Sequence, residues 1–213
     1  MKQILTLAMI LMSTLSFAQN SSQAETLLNE VYDKTNSYEN ISIDFKYSLE
    51  NTAENINQET RGDVVLEGDK YVLNILGVTR IFDGKTLYTI SPEDEEVTIS
   101  SENTDDVNTI TPSQMLSFYK EGYTYAMDIV QNVRGRKIQY VKLSPIDTNS
   151  EIKQVLLGID ANTKHIYNLI EIGKNGTKTI LTVNSFKTNE PISKTLFTFD
   201  KSKYANYYIN KLD

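Results

Sequence analysis

The chain has 213 residues, 23% of them charged and 39% hydrophobic, with 28 acidic against 21 basic side chains and a net charge of -7. That length suits one domain, or one domain plus a targeting segment; 9 Gly and 4 Pro exclude low complexity, and 13 Tyr with 7 Phe oppose disorder. With no Cys and a single His, disulfide frameworks, thiolate zinc sites, Cys nucleophiles and paired-imidazole metal sites are excluded, and the acidic balance argues against a nucleic-acid partner.

The first eighteen residues carry one charge, Lys2, followed by an apolar run from Ile4 to Met12. Ser16-Phe17-Ala18 then places small residues where a signal peptidase reads them, and the run is too short to span a bilayer. Residues 1–18 are therefore expected to be a signal peptide cleaved after Ala18, leaving residues 19–213 as one exported domain in a periplasm-type compartment.

A helix is expected at the start of the mature chain. Ser22 and Glu25 have capping-box spacing, and Ala24, Leu27, Leu28, Val31 and Tyr32 share one face. From Ile41 the period changes to two: Ile41, Ile43, Phe45, Tyr47 and Leu49 alternate with polar residues, which predicts a strand with one wet face. Further strands are predicted over Arg61–Leu66, Lys70–Leu76, Thr79–Phe82, Thr86–Ser91, near Val97, Tyr123–Val130, Lys137–Leu143, Lys153–Ile159, Ile166–Ile172, Lys178–Phe186 and Thr195–Phe199. Glu67-Gly68-Asp69, Asp83-Gly84-Lys85 and Lys174-Asn175-Gly176 read as hairpin turns, and Pro92 opens an acidic one. Short links of this kind favour an antiparallel meander.

One helix interrupts the strands. Thr111 can cap it, Pro112 suits its first position, Met115, Leu116, Phe118 and Tyr119 give it an apolar face, and it should end near Gly122. Ser100 to Asn108, just before it, reads as a loop. The whole is mainly β with a few helices: a curved antiparallel sheet of about eleven strands forming an unclosed β-barrel. Periodicity leaves open whether its interior holds a ligand or is filled, and whether the second helix is a movable lid or a fixed plug.

Support for catalysis is absent. No strand–turn–helix elbow surrounds any Ser, and His165 sits in the polar turn Thr163-Lys164-His165, as a surface residue would. Neither Glu93-Asp94-Glu95-Glu96 nor Asp105-Asp106 has the alternating spacing of a calcium loop, so both read as solvated loops. The tyrosines lie mostly in or beside β-type runs, where β propensity accounts for them without a sugar ligand.

Several motifs occur in an order that is informative. Asp44-Phe45 lies in the first strand and Gly62-Asp63-Val64-Val65-Leu66 opens the second. Phe82-Asp83-Gly84-Lys85-Thr86-Leu87-Tyr88 precedes Pro92, and Leu196-Phe197-Thr198-Phe199 lies near the end. In this the chain resembles the LolA-like family of periplasmic outer-membrane lipoprotein carriers. The resemblance implies a half-barrel with a helical lid over an apolar cavity. It also implies a non-enzymatic carrier, without cofactor or metal, that shuttles acylated lipoproteins from an inner-membrane release complex to an outer-membrane acceptor. A monomer and no nucleic-acid partner are expected. On this reading the wall and lid comprise Leu28, Ile43, Phe45, Tyr47, Leu66, Leu73, Ile75, Met115, Leu116, Phe118 and Tyr119. The chain departs from the family in two places. The Arg that commonly follows the Gly-Asp-Leu strand is matched by Gly68, with Arg61 and Arg80 on neighbouring strands, and a usual polar residue is Tyr47. Other acylated or polyene cargo, a non-transporting sensor or acceptor domain, and a structural surface protein with a filled core are the alternatives.

Overall fold

The computed structural model describes residues 20–101 and 111–212. Helix α1 (residues 20–36) precedes six strands: β1 (Ile41–Asn51), β2 (Ile56–Glu67), β3 (Lys70–Ile75), β4 (Val78–Phe82), β5 (Thr86–Ser91) and β6 (Glu96–Ser101). One turn of helix, α2 (Pro112–Met115), and a 3-10 turn (Phe118–Lys120) lead into a second run. This comprises β7 (Tyr123–Val133), β8 (Arg136–Pro145), β9 (Ile152–Asp160), β10 (Ile166–Gly173) and β11 (Lys178–Thr188). A 3-10 turn (Lys201–Tyr204) and β12 (Tyr208–Lys211) complete the fold.

All twelve strands belong to one curved, unclosed sheet in the order β12-β6-β5-β4-β3-β2-β1-β11-β10-β9-β8-β7. Two meanders are joined where β1 pairs with β11, and every pairing is antiparallel except β12 with β6. A register shift at Asp44/Phe45 against β11 and another between Met127 and Val130 in β7 supply local bends.

The apolar alternation of each strand falls on the inner face, where two clusters divide the sheet. On one half, Ala24, Leu27, Leu28 and Val31 of α1 pack with Val141, Leu143, Val155, Leu157 and Ile159 of β8 and β9. Burying each such Leu or Val contributes about 1.5–3 kcal/mol, so this half is filled and firm. On the other half, Ile41, Ile43, Phe45, Val64, Leu66, Tyr71, Phe82, Leu87 and Val183 form the second cluster without any residue of α1.

Three sequence expectations need correction. Ser22 lies inside α1 rather than capping it, since the helix already includes residue 20. The predicted helix from Thr111 to Gly122 is broken: a full capping box between Thr111 and Gln114 starts it, but it ends after Met115, and Gly122 with φ +82° turns the chain into β7. Thr195–Phe199 is not a strand but a series of turns, with Leu196 N–H donating to the Ser193 carbonyl and Thr198 N–H to that of Thr195. Its aromatics still pack, because Phe197 is buried and Phe199 stacks on Tyr88 at 4.6 Å. The last strand is instead β12, which runs parallel to β6. The expected signal segment and most of the expected loop from Ser100 to Asn108 lie outside the described residues; Ser100 and Ser101 themselves end β6.

Candidate functional site

The half of the sheet that α1 leaves free encloses a cavity of about 250 Å³. Its wall follows from the register. Ile43, Phe45 and Tyr47 of β1 alternate inward, and their neighbours in β2, β3 and β11 (Val64, Leu66, Leu73, Ile75, Leu181, Val183 and Phe186) continue the surface. The roof is Thr111, Pro112, Met115 and Leu116, which carry α2 across β2 and β3. Leu116 packs against both core clusters, so it is the side chain through which the roof meets the α1 half.

Eight of the eleven residues expected at the site therefore converge: Ile43, Phe45, Tyr47, Leu66, Leu73, Ile75, Met115 and Leu116 all line the cavity. Leu28, Phe118 and Tyr119 do not. Leu28 and Tyr119 are buried in the α1 cluster, and Phe118 packs against it, making edge contacts with Tyr119 and Tyr123. Helical periodicity is the same whether a helix fills a core or covers a cavity, so local pattern groups all three with the lid. Tyr119 is fully buried, burial pushes its phenol upward, and its backbone carbonyl accepts a 2.7 Å hydrogen bond from the Tyr125 hydroxyl.

Other residues reach the cavity that local pattern does not single out. Leu169, Leu181, Val183 and Phe186 line it from β10 and β11, and Arg80 does so from β4. The strands themselves are predicted by the sequence; what stays hidden there is that β11 docks on β1, a pairing between opposite ends of the chain. His165 is also corrected. It is half-buried, with its ring stacked on Phe186 at 4.1 Å and Nε2 lying 2.8 Å from the Tyr38 hydroxyl. It backs a wall residue from the far side. Burial lowers its pKa, Lys34 adds to that, and Asp160 opposes it.

Gly68 sits at the tip of the β2–β3 turn with φ +58°, beside a surface groove that Ser113, Gln114 and Leu116 also line. The β2–β3 turn thus lies near the roof but offers it no side chain at Gly68. On the outer face of the sheet, Asn74 Nδ2 donates to Asp63 at 2.8 Å and Thr79 donates to Asn74 Oδ1 at 2.7 Å. Asp63 of the Gly-Asp motif is therefore part of a hydrogen-bonded row across β2, β3 and β4, on the side away from the cavity. Among the described residues there is no cluster of three His, Asp or Glu placed to hold a metal ion, and no helix long and apolar enough to cross a membrane.

A curved, unclosed sheet around an apolar cavity, roofed by a short helical segment, places the protein among half-barrel binding proteins. The chain belongs to the LolA family, "outer membrane lipoprotein carrier protein LolA", whose model matches residues 77–200. Solved structures of similar fold include an uncharacterized conserved protein from Thermus thermophilus, at 10% identity and TM-score 0.59, covering 86% of this chain and 98% of that one. LprF from Mycobacterium bovis is similar at 13% identity and TM-score 0.53, covering 82% of this chain and 96% of that one. A LolA superfamily protein from Nitrosomonas europaea aligns at 11% identity and TM-score 0.43, with 83% and 98% covered. No curated protein matches the chain in sequence.

Proposed function

We propose that this chain is a non-enzymatic periplasmic carrier that takes acyl chains of lipoproteins into the cavity beneath α2 and conveys them from the inner to the outer membrane. The observation that carries this reading is the cavity lining, which is apolar on wall and roof alike except at a few positions. Each methylene removed from water is worth about 0.8 kcal/mol, so a soluble carrier needs such an interior to compete with a bilayer. At about 250 Å³ the space lies just under the usual span of small-molecule sites, about 300–1,000 Å³. It suits a closed form that admits part of an acyl group and must open for the rest.

In this reading residues 1–18 direct export and are removed, residues 19–213 act as one domain, and the eight converging residues form the binding surface. Family membership supports carriage as the activity. Among the described residues the lone imidazole is engaged by Tyr38 and Phe186.

The test is native mass spectrometry of protein purified from its periplasm, followed by uptake of a fluorescent acyl lipid after delipidation. A co-purifying acylated species and saturable uptake are expected. A clean polypeptide mass with no uptake would overturn the reading in favour of a filled, structural core.

A further inference from the structure

Arg80 is the only charged side chain among the described residues that line the cavity. Its position is set by the sheet. Phe186, Ile43, Val64, Leu73 and Arg80 are successive cross-strand partners on five adjacent strands, so an apolar row ends in a guanidinium. Along its own strand, Phe82, two residues on and on the same face, is buried in the core. Alternation therefore calls for an apolar residue at position 80.

Arg80 is partly buried, and a guanidinium held against apolar neighbours is costly to the extent that it gives up water without gaining a partner. The ion pairs among the described residues are Lys46–Glu59, Lys70–Glu67 and Lys164–Glu30, none of which involves Arg80. Nor does Arg80 take part in a side-chain hydrogen bond among them, and no Asp or Glu faces it from the described lining. The row from β11 to β4 spans four inter-strand steps, about 19 Å at the usual strand spacing. An alkyl chain lying along that row would bring its head to Arg80.

Resting on the apolar-cargo part of the reading above, and departing from lipoprotein acyl groups, whose ester and amide links carry no charge, we propose that Arg80 is the head-group subsite of this cavity and that the cargo is an amphiphile whose chain ends in an anionic group, a carboxylate or a phosphate. A guanidinium offers a planar, two-pronged donor to either group. The cavity thereby discriminates among lipids by head as well as by tail.

The experiment displaces a bound fluorescent acyl probe with three sixteen-carbon competitors: hexadecanoate, hexadecyl phosphate and uncharged monohexadecanoylglycerol. Each is tested on the delipidated wild-type protein, on Arg80→Gln and on Arg80→Lys, with thermal melting of each variant as a check on folding. Wild type should bind at least one anionic competitor about tenfold more tightly than the neutral one, the range expected for a charge-assisted hydrogen bond. Whether the carboxylate or the phosphate gains more identifies the head group. Arg80→Gln should remove that preference while leaving neutral affinity within about twofold, and Arg80→Lys should retain part of it. Equal binding of all three competitors by wild type overturns the head-group assignment and leaves the apolar-cargo reading standing. Persistence of the preference in Arg80→Gln, or an equal loss of neutral and anionic binding, also overturns it. Failure of every competitor to displace the probe, or of the probe to bind at all, overturns the cargo reading itself.

Discussion

The ring of Phe45 lies directly over Gly62, its cross-strand partner: a Cβ on Gly62 would stand 2.6 Å from Phe45 Cζ and 2.6 Å from the Asn74 carbonyl oxygen. The glycine of the Gly-Asp motif is therefore a space requirement of the cavity wall, since Phe45 can fold flat against the sheet only where β2 has no side chain. Gly62→Ala should push the ring into the cavity and strain β3, at a cost of about 1–3 kcal/mol. Urea denaturation should show the lower midpoint, and acyl-probe uptake should fall with it. Adding Phe45→Leu should recover part of the loss, because the ring contact goes while the Asn74 contact stays. A fully additive double variant would show that the two residues are not coupled.

Adjacent positions in β1 should respond in opposite ways. Phe45 is 5% exposed and faces the cavity, whereas Asp44 is exposed on the outer face directly opposite Asp63. Phe45→Asp places a charge in an apolar wall and should cost about 3 kcal/mol or more. Asp44→Ser removes a like-charge cross-strand pair and should be neutral or stabilising by about 0.2–1 kcal/mol. Chemical denaturation of both variants decides it, and equal tolerance of the two changes would invert the face assignment.

His165 makes stability depend on pH in a direction the structure sets. Burial first, then Lys34, lowers its pKa from 6.5, with Asp160 opposing. The unfolded chain then binds the proton more readily than the folded one, so stability rises with pH through this window. The contribution is fully present above the unfolded value and is lost as pH falls below it toward the folded value. Protonation would also set a cation against Phe186 and make Nε2 a donor toward the Tyr38 hydroxyl. Melting temperatures between pH 7.5 and 5 should drop more steeply for wild type than for His165→Gln. Parallel curves would show that His165 titrates alike in both states.

What can be read from the chain depends on whether the determining contact is local. β1 is legible because five alternations face one wet and one dry side, and the β4–β5 turn because Asp83 accepts from Lys85 N–H and Thr86 N–H while Gly84 takes φ +97°. The β-rich class and the family likeness rest on such segments. The cavity's far wall is not legible, because Leu181 and Val183 reach Tyr47 and Phe45 only through the long-range β1–β11 pairing. Arg80 departs from the alternation that Phe82 sets on its own short strand, but the apolar row it ends, through Leu73, Val64 and Ile43, is visible only in the fold. Thr195–Phe199 misleads for the opposite reason, its alternating aromatics being satisfied by turns packed on the outer face, with Phe199 between Tyr88 and Tyr204.

The roof is the part of the structure best suited to move. α2 has only four residues, a length at which a helix is marginal by itself. It is held by Pro112, by the Thr111–Gln114 capping box, worth about 0.5–2 kcal/mol, and by partial burial of Met115 and Leu116. If α2 is the gate of the proposed carrier, an open state within a few kcal/mol of this one is expected, populated at about 0.1–10%. Because the chain has no Cys, a pair introduced as Leu116→Cys and Leu66→Cys can be joined by a short cleavable crosslinker without side reactions. With roof and wall tied, acyl-probe uptake should fall to background while the melting temperature holds or rises, and cleaving the linker should restore uptake. Entry at the normal rate with the link intact would mean that this helix is a fixed plug and that cargo enters elsewhere along the unclosed sheet.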